Sequence, residues 1–305
     1  MFIALLIKEM RLRMRRERTI WLIVAYILLL GLLGWMYISL INTNSNNGAS
    51  WGSIGSGLYT ILLIVQLFLI LFITPAFTAT AINGEKERQT FDLLLCSRLS
   101  STSLIIGKLL AGLINALLLI AASIPIFSLV FFFGGVSPLQ AAGALLLSVL
   151  TAIFIASLGI CCSTLVARPA LSTAITYMLI LLWLGLPLLL AIIAPSTLNR
   201  TVTISGNTPT LQPPIYFIWH PIIAILNTYN PVTLTQSSQY TWGAISLSYW
   251  ETYSILTVIT TAVFLLISIW RVKPRSSRLY RRLRSQPKSK LSGSNSQETP
   301  ASATA

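Results

Sequence analysis

The residues most able to do chemistry in this chain lie in one charged segment between two apolar runs. Residues 82–95 read Ile-Asn-Gly-Glu-Lys-Glu-Arg-Gln-Thr-Phe-Asp-Leu-Leu-Leu. The ionic side chains of this segment are Glu85, Lys86, Glu87, Arg88 and Asp92. Apolar side chains recur near helical spacing at Phe91, Leu94, Leu95 and Leu99. A helix with one ionic and one apolar face makes ion pairs and apolar contacts, so it is predicted either to lie on lipid or to dock onto a partner.

Residue types that serve catalysis or metal binding are scarce. His220 is the only histidine, and no second His, Cys or carboxylate stands at metal-ligand spacing. A membrane protease of the glutamate type would need an acid within the bilayer and histidines on other spans, which this sequence lacks. The sequence therefore predicts no metal site and no catalytic residues. The three cysteines, Cys96, Cys161 and Cys162, are interpreted as packing residues.

Gly107-Lys108 resembles the end of a phosphate-binding loop, but the rest of that motif is missing. Thr102 stands where the motif requires glycine, and Leu109 stands where it requires Ser or Thr. The pair also opens an apolar run rather than following a strand. We therefore predict that the chain binds no ATP through this motif, needs no cofactor and is not itself an enzyme.

The composition is that of an integral membrane protein. Apolar residues make up 55% of the 305 positions and charged residues only 9%, whereas a soluble domain has roughly 25% charged residues. Six apolar runs are long enough to cross a bilayer, which takes about 20 helical residues. They are predicted near 20–41, 56–82, 104–133, 139–166, 170–194 and 250–270.

The distribution of basic residues predicts the orientation. Of 21 Lys and Arg, six precede the first span, four lie between spans two and three or at the head of span three, and nine follow span six. Arg168 lies between spans four and five, and only Arg200 falls on the opposite side. Because basic residues collect in cytoplasmic loops, both termini are predicted to be cytoplasmic.

Two basic terminal segments flank the spans. Residues 1–19 are predicted to form an amphipathic helix in the membrane interface, with cations among lipid phosphates. The alternative is a basic flank that only orients span one. Residues 271–305 are predicted to be a basic, partly disordered cytoplasmic tail whose cluster contacts anionic lipids. Nucleic-acid binding by this cluster is the weaker interpretation, so no nucleic-acid partner is predicted.

The predicted permease domain, residues 20–270, has an uncharged interior. Gln66 and Asn115 are the main strongly polar side chains deep in it and are interpreted as hydrogen-bonding glue between helices. This pattern argues against ion-driven transport, which usually needs a buried charge. The external segment, 195–249, is predicted to form short helices half-sunk in the outer interface, with Trp219 among its interfacial aromatic residues.

The charged segment and its flanks resemble the signature of the ABC-2 type permease family, the membrane subunits of ATP-binding-cassette (ABC) exporters. The matching features are Pro75 in span two, Glu85-Lys86-Glu87-Arg88, Thr90-x-Asp92-Leu93-Leu94-Leu95, Leu99-Ser100, and Gly107-Lys108 at the head of span three. The basic amphipathic N-terminus and the six-span layout agree with this family. The resemblance therefore covers most of the chain.

This resemblance implies that residues 83–100 form the coupling helix, which seats in a groove of the ATPase subunit. The residues predicted to couple to the ATPase are Glu85, Lys86, Glu87, Arg88, Asp92, Leu94, Leu95 and Arg98. We expect the charges to set partner choice and register, the apolar residues to supply a packed face, and the movement to pass into spans two and three. The alternative is a helix held only against its own bundle, with solvated charges.

The charged segment departs from the family pattern at two places. Gln89 occupies a position that is commonly glycine, and because glutamine favours helix it is predicted to lengthen the coupling helix. Ser97-Arg98 replaces a frequent Thr-Pro. The loss of that proline leaves the end of the helix undefined by sequence.

We conclude that this sequence encodes an all-α integral membrane protein, with six transmembrane helices, an N-terminal interfacial helix and a cytoplasmic coupling helix. The resemblance implies an exporter permease, acting as two identical or paralogous permease subunits with two cytoplasmic ABC ATPase subunits. The uncharged bundle favours a lipid-like or drug-like cargo, and six-span permeases of this kind suggest a bacterial plasma (inner) membrane. The alternative function is a non-transporting scaffold or anchor subunit of an assembly complex. A third interpretation, an intramembrane hydrolase, would require His220, whose substitution we do not expect to abolish function.

Overall fold

The described part of the chain is almost entirely helical. The computed structural model describes residues 17–43, 51–87, 89, 101–193, 201–202, 210–211, 215–229, 239–242 and 245–272. Its helices are α1 (Glu17–Thr43), α2 (Trp51–Thr78), α3 (Asn83–Glu87), α4 (Ser101–Phe133), α5 (Pro138–Leu165), α6 (Pro169–Ile193), α7 (Pro221–Tyr229) and α8 (Tyr249–Val272). Six of these, all but α3 and α7, are long and apolar enough to cross a membrane. The prediction of six spans is confirmed.

Short elements occupy part of the segment between α6 and α8. They are a 3-10 turn at Ile215–Phe217 before α7 and four short strands, β1 (Thr201–Val202), β2 (Thr210–Leu211), β3 (Gln239–Trp242) and β4 (Ile245–Ser248). β1 pairs antiparallel with β2, and β3 pairs antiparallel with β4. The predicted interfacial helix before residue 17 and the tail after residue 272 lie outside the described residues.

Local sequence signals explain how two spans, α5 and α8, begin. Ser137 caps α5, because its hydroxyl accepts a hydrogen bond from the Gln140 amide while the Gln140 side chain accepts one from the Ser137 amide. Pro138 then occupies the first turn, where a missing N–H costs nothing. Glu251 accepts a hydrogen bond from the Ser248 amide at 2.9 Å, so this carboxylate caps the start of α8.

Helix α5 is the central helix of the bundle. In the apolar windows of the spans, 72% of the residues of α5 are buried, against 11% for α1 and 17% for α6. α5 packs along α2, α4, α6, α7 and α8. The outward surfaces of α1 and α6 are apolar, as expected for helices that face lipid.

Two glycines let α2 approach α4 and α5 closely near its end at Thr78. A Cβ added at Gly112 of α4 would lie 2.3 Å from the Thr78 methyl carbon, and one added at Gly159 of α5 would lie 2.2 Å from the Thr78 hydroxyl oxygen. The Thr78 side chain is therefore held between two helices at positions that admit only glycine. Small residues permit such close backbone packing in membrane proteins.

Uncharged hydrogen bonds join the spans in the interior. Ser123 of α4 donates to the side-chain oxygen of Gln66 of α2 at 3.2 Å, and both residues are fully buried. The hydroxyls of Thr151 in α5 and Tyr253 in α8 are 2.8 Å apart. Asn115 is also buried. The interpretation of Gln66 as glue between helices agrees with these contacts.

The segment between α6 and α8 reaches deeper than the sequence predicts. The Trp219 ring lies 5.8 Å from Phe154 and 6.4 Å from Trp183, which lie near the middles of α5 and α6. Phe154 in turn lies 6.0 Å from Phe264 of α8. Trp219 is therefore part of a cluster between spans rather than of an outer interfacial belt, because the apolar face of residues 215–229 packs between helices.

We predict that Gly159→Ala destabilises the protein, because the new methyl group overlaps Thr78. Overpacking of this kind costs about 1–3 kcal/mol. The matched control is Gly143→Ala on the same helix, where an added Cβ meets no heavy atom within 4 Å. The two thermal unfolding midpoints in one detergent would be compared. Equal midpoints for the two variants would contradict the close approach.

We also predict that acid destabilises the protein through His220. Burial lowers the pKa of His220 from 6.5 to about 4, although the backbone of Leu184 partly offsets this effect. The unfolded chain takes up a proton below about pH 6.5 and the folded chain only below about pH 4, so stability is present above this window and lost as pH falls through it. The loss at pH 5 should be about 2 kcal/mol. His220→Gln should show a smaller fall in unfolding midpoint between pH 7.5 and 5; an unchanged fall would contradict the prediction.

Candidate functional site

The charged segment begins where α2 ends. After Thr78 the chain makes a turn over residues 79–82 and then forms the short helix α3. The Ile82 carbonyl accepts hydrogen bonds from the amides of Glu85 and Lys86, which starts this helix. Residues 79–87 therefore continue from a membrane span into a short charged helix, and we call them the α2–α3 segment.

The Ser163 hydroxyl holds the α2–α3 segment against α5. It accepts hydrogen bonds from the amides of Ile82 at 3.0 Å and Asn83 at 3.1 Å, and it lies 3.1 Å from the Asn83 side-chain oxygen, to which it donates. Asn83 and Ser163 are fully buried. One side chain thus satisfies two backbone donors at a place where the α2 ladder has stopped.

A second serine holds the same turn against α6. The Ser172 hydroxyl donates to the Ala79 carbonyl at 2.7 Å, and Ser172 is fully buried. Five residues further along α6, the Tyr177 hydroxyl donates to the Phe72 carbonyl at 2.7 Å. The end of α2 and the turn after it are therefore hydrogen-bonded to both α5 and α6.

An ion pair joins the segment to α4. The Lys108 ammonium group donates to the Glu85 carboxylate, and their side chains are only 12% and 22% exposed. Partial exclusion of water strengthens the attraction relative to an exposed pair. Glu85 is therefore bonded to its own bundle. For this residue the contact is the one expected of a helix held against its own bundle.

The next two charged residues face outward. Lys86 and Glu87 are exposed at the surface of α3. Helix α3 therefore presents one positive and one negative side chain outward, while Asn83 and Glu85 anchor it to the bundle. Such a surface can choose a partner by complementary charge.

Gln89 ends the helix rather than lengthening it, so the prediction from helix propensity is wrong. Helix α3 ends at Glu87, and Gln89 has φ 58° with its amide bonded to the Lys86 carbonyl at 3.1 Å. This left-handed conformation costs a non-glycine residue roughly 1–2 kcal/mol and is the one that glycine adopts readily. The conformation explains why glycine suits this position better than glutamine.

Only part of the predicted coupling set can be placed. Glu85, Lys86 and Glu87 lie together on α3. The remaining predicted residues lie outside the described residues: Arg88, Asp92, Leu94, Leu95 and Arg98. The apolar face that includes Phe91 and Leu99 also stays a prediction.

Three residues that the sequence does not single out complete the site: Asn83, Ser163 and Ser172. Ser163 and Asn83 are 80 positions apart, and each is an ordinary small polar residue at the end of an apolar run. Lys108, the partner of Glu85, has a sequence signal of its own, because it stands beside Gly107 at the head of α4.

The arrangement is mechanical in character. In the described ranges no group of three or more His, Cys, Asp or Glu could hold a metal ion. The site consists of hydrogen bonds that anchor a helix and of charges that the helix presents outward. It can transmit a force applied at α3 to the spans.

Comparison with protein families identifies a match that covers most of the chain. A protein-family model described as "ABC-2 family transporter protein" matches residues 3–276, which is nearly the whole chain. No curated protein matches the chain.

We predict that Glu85 and Lys108 are energetically coupled. Glu85→Gln or Lys108→Gln alone should cost about 1–3 kcal/mol, because each leaves a half-buried charge without its partner. The double variant should cost less than the sum of the two single variants. Unfolding in detergent would measure this cycle, with exposed Glu87→Gln as the control expected to change little. Strict additivity would show that the two residues do not stabilise each other.

Proposed function

The chain belongs to the ABC-2 family of transporter proteins, and from this premise we propose that it is the permease subunit of an ABC exporter, driven by a separate ATPase subunit. Membership in this family makes the chain a multi-pass membrane permease component of an ABC transporter, rather than the catalytic ATPase. The family also implies partnership with an ABC ATPase subunit. We propose, beyond this, the direction of transport, the residues that contact the ATPase and the class of cargo.

The outward charges of α3 are the observation that carries the docking proposal. Lys86 and Glu87 are exposed beyond the last turn of a span, and Glu85 and Asn83 anchor the helix that bears them. An anchored helix transmits a push, whereas a freely moving loop would absorb it. We propose that α3 and the residues that follow it, including Arg88, Asp92, Leu94, Leu95 and Arg98, contact the ATPase.

We propose an assembly of two permease subunits, identical or paralogous, with two ATPases. The support from this chain is the extent of apolar surface left on its outer helices, with large exposed residues along α1, α6 and α8. A second subunit would cover part of that surface and lipid the rest. ATP binding would then draw the two α3 helices together and open a path between the subunits.

A lipid-like or drug-like cargo fits the interior best. The polar residues buried between the spans are uncharged, among them Gln66, Ser123 and Thr151. In the described spans, Lys108, Glu251 and Arg271 lie near helix ends rather than at their centres. An anionic polymer would require cationic lining, so an amphipathic molecule is the better candidate.

The proposed location is a bacterial plasma (inner) membrane with both termini cytoplasmic. The positive-inside rule supports this orientation, because Lys86, Lys108 and Arg168 would share the cytoplasmic side with the basic termini. Anionic lipids would bind the terminal clusters, with each well-placed cation contributing about 1 kcal/mol.

We predict that an ABC ATPase co-purifies with the tagged chain and is lost when the outward charges of α3 are exchanged. The variant Lys86→Glu/Glu87→Lys keeps net charge and composition but reverses the pattern that a partner would read. The control is Arg168→Glu, an exposed charge reversal on the same side of the bundle. Partners would be crosslinked in cells and identified by mass spectrometry.

The supporting result is a wild-type complex that contains a protein with a phosphate-binding loop and hydrolyses ATP. The exchanged variant should lose that subunit while keeping its wild-type unfolding midpoint. Equal recovery from the exchanged variant would remove α3 as the docking element. Absence of any such ATPase from the crosslinked wild type would instead favour the scaffold function.

A further inference from the structure

We propose that Ser163 is a positioning residue that passes movement of the α2–α3 segment directly into α5, and that Ser172 does the same for α6. This inference rests on the proposed function, because the movement would originate at an ATPase docked on α3. It differs from a route confined to the two spans that flank the charged segment.

Two backbone amides at the turn after Thr78 depend on Ser163 for a hydrogen bond. Hydrogen bonds of the α2 ladder stop near Ala79, and the amides of Ile82 and Asn83 both bond to the Ser163 hydroxyl instead. Removing these bonds would leave buried donors, so the turn cannot shift while Ser163 stays in place without breaking them. A displacement of α3 therefore pulls on α5.

Close packing also resists sliding of α2 against α4 and α5 near Thr78. Thr78 fills the space between Gly112 and Gly159, where its side chain meets α4 and α5 without room for a further carbon atom. Packed contacts of this kind move as units rather than deforming continuously. The end of α2 and the end of α5 therefore behave as one body.

Hydrogen bonds link the body formed by the ends of α2 and α5 to α6. Ser172 bonds to Ala79, and Tyr177 bonds to Phe72, so α2 and α6 are joined at two levels. The turn between α5 and α6 is short, since α5 ends at Leu165 and α6 begins at Pro169. Helices α2, α5 and α6 consequently share one hydrogen-bonded end.

Helix α5 also contacts α7 and α8 in the rest of the bundle. Thr151 is hydrogen-bonded to Tyr253 of α8, and Phe154 packs on Trp219 before α7 and on Trp183 of α6. A shift of α5 therefore repositions the segment that lies between the spans. In this way a push at α3 is converted into movement at the far half of the bundle.

The first measurement tests the Ser163 hydrogen bonds in the chain alone, purified in detergent, by hydrogen exchange with mass spectrometry. Ser163→Ala should raise amide exchange in residues 79–87 by about tenfold, because two hydrogen bonds to backbone donors are lost. The matched control is Ser157→Ala, a buried serine of α5 whose hydroxyl donates to the Phe154 carbonyl of its own helix. Exchange in residues 79–87 that is equal in the two variants would overturn the proposal.

The second measurement uses the complex with the co-purified ATPase, with and without a non-hydrolysable ATP analogue. In the wild type and in Ser157→Ala, the analogue should change exchange both in residues 79–87 and in residues 160–177. In Ser163→Ala the change should persist in 79–87 and fall at least fivefold in 160–177. Ser163→Thr, which keeps the hydroxyl, should restore it.

A milder variant covers the case in which Ser163→Ala does not fold. Asn83→Ala removes only the acceptor for the Ser163 hydroxyl and leaves both amide bonds in place, so it should weaken the response in 160–177 partially. A response in 160–177 that survives in both variants would overturn this proposal alone. A wild-type complex without any response in 79–87 would overturn the proposed function together with it.

Discussion

In the interior of a membrane bundle, a helix cannot stop without finding partners for the backbone groups that its own ladder no longer satisfies. After Thr78, α2 gives way to a partly buried turn at the end of the bundle where α5 ends and α6 begins. Ser163 and Ser172 supply the partners for that turn, from α5 and α6. The placement of the charged helix α3, and with it the outward charges, follows from this one requirement.

Close packing at the same place explains the shape of the bundle. Gly112 and Gly159 bring α4 and α5 against Thr78, and α5 becomes the most buried span. Without a hydrophobic drive between helices in lipid, such contacts and a few interior hydrogen bonds are what hold spans together. The interior hydrogen bonds include those between Gln66 and Ser123 and between Thr151 and Tyr253.

The structure divides the charged residues of the segment by role. Glu85 binds Lys108 of the same chain, whereas Lys86 and Glu87 face outward. Sequence alone treats the three as equivalent members of one charged stretch. Anchoring and docking are compatible in one short helix because successive residues point in different directions around its axis.

The sequence by itself determined the number of spans, their approximate limits, their uncharged interior and the charged segment between the second and third. These are local properties, because apolar length and caps such as Ser137-Pro138 act over a few residues. Tertiary structure alone decided that Ser163 meets Asn83, that Trp219 lies beside Phe154, and that Gln89 adopts a left-handed conformation. Such pairings depend on how each helix is rotated and packed against distant neighbours, and in an apolar run every small polar residue looks alike until that packing selects one.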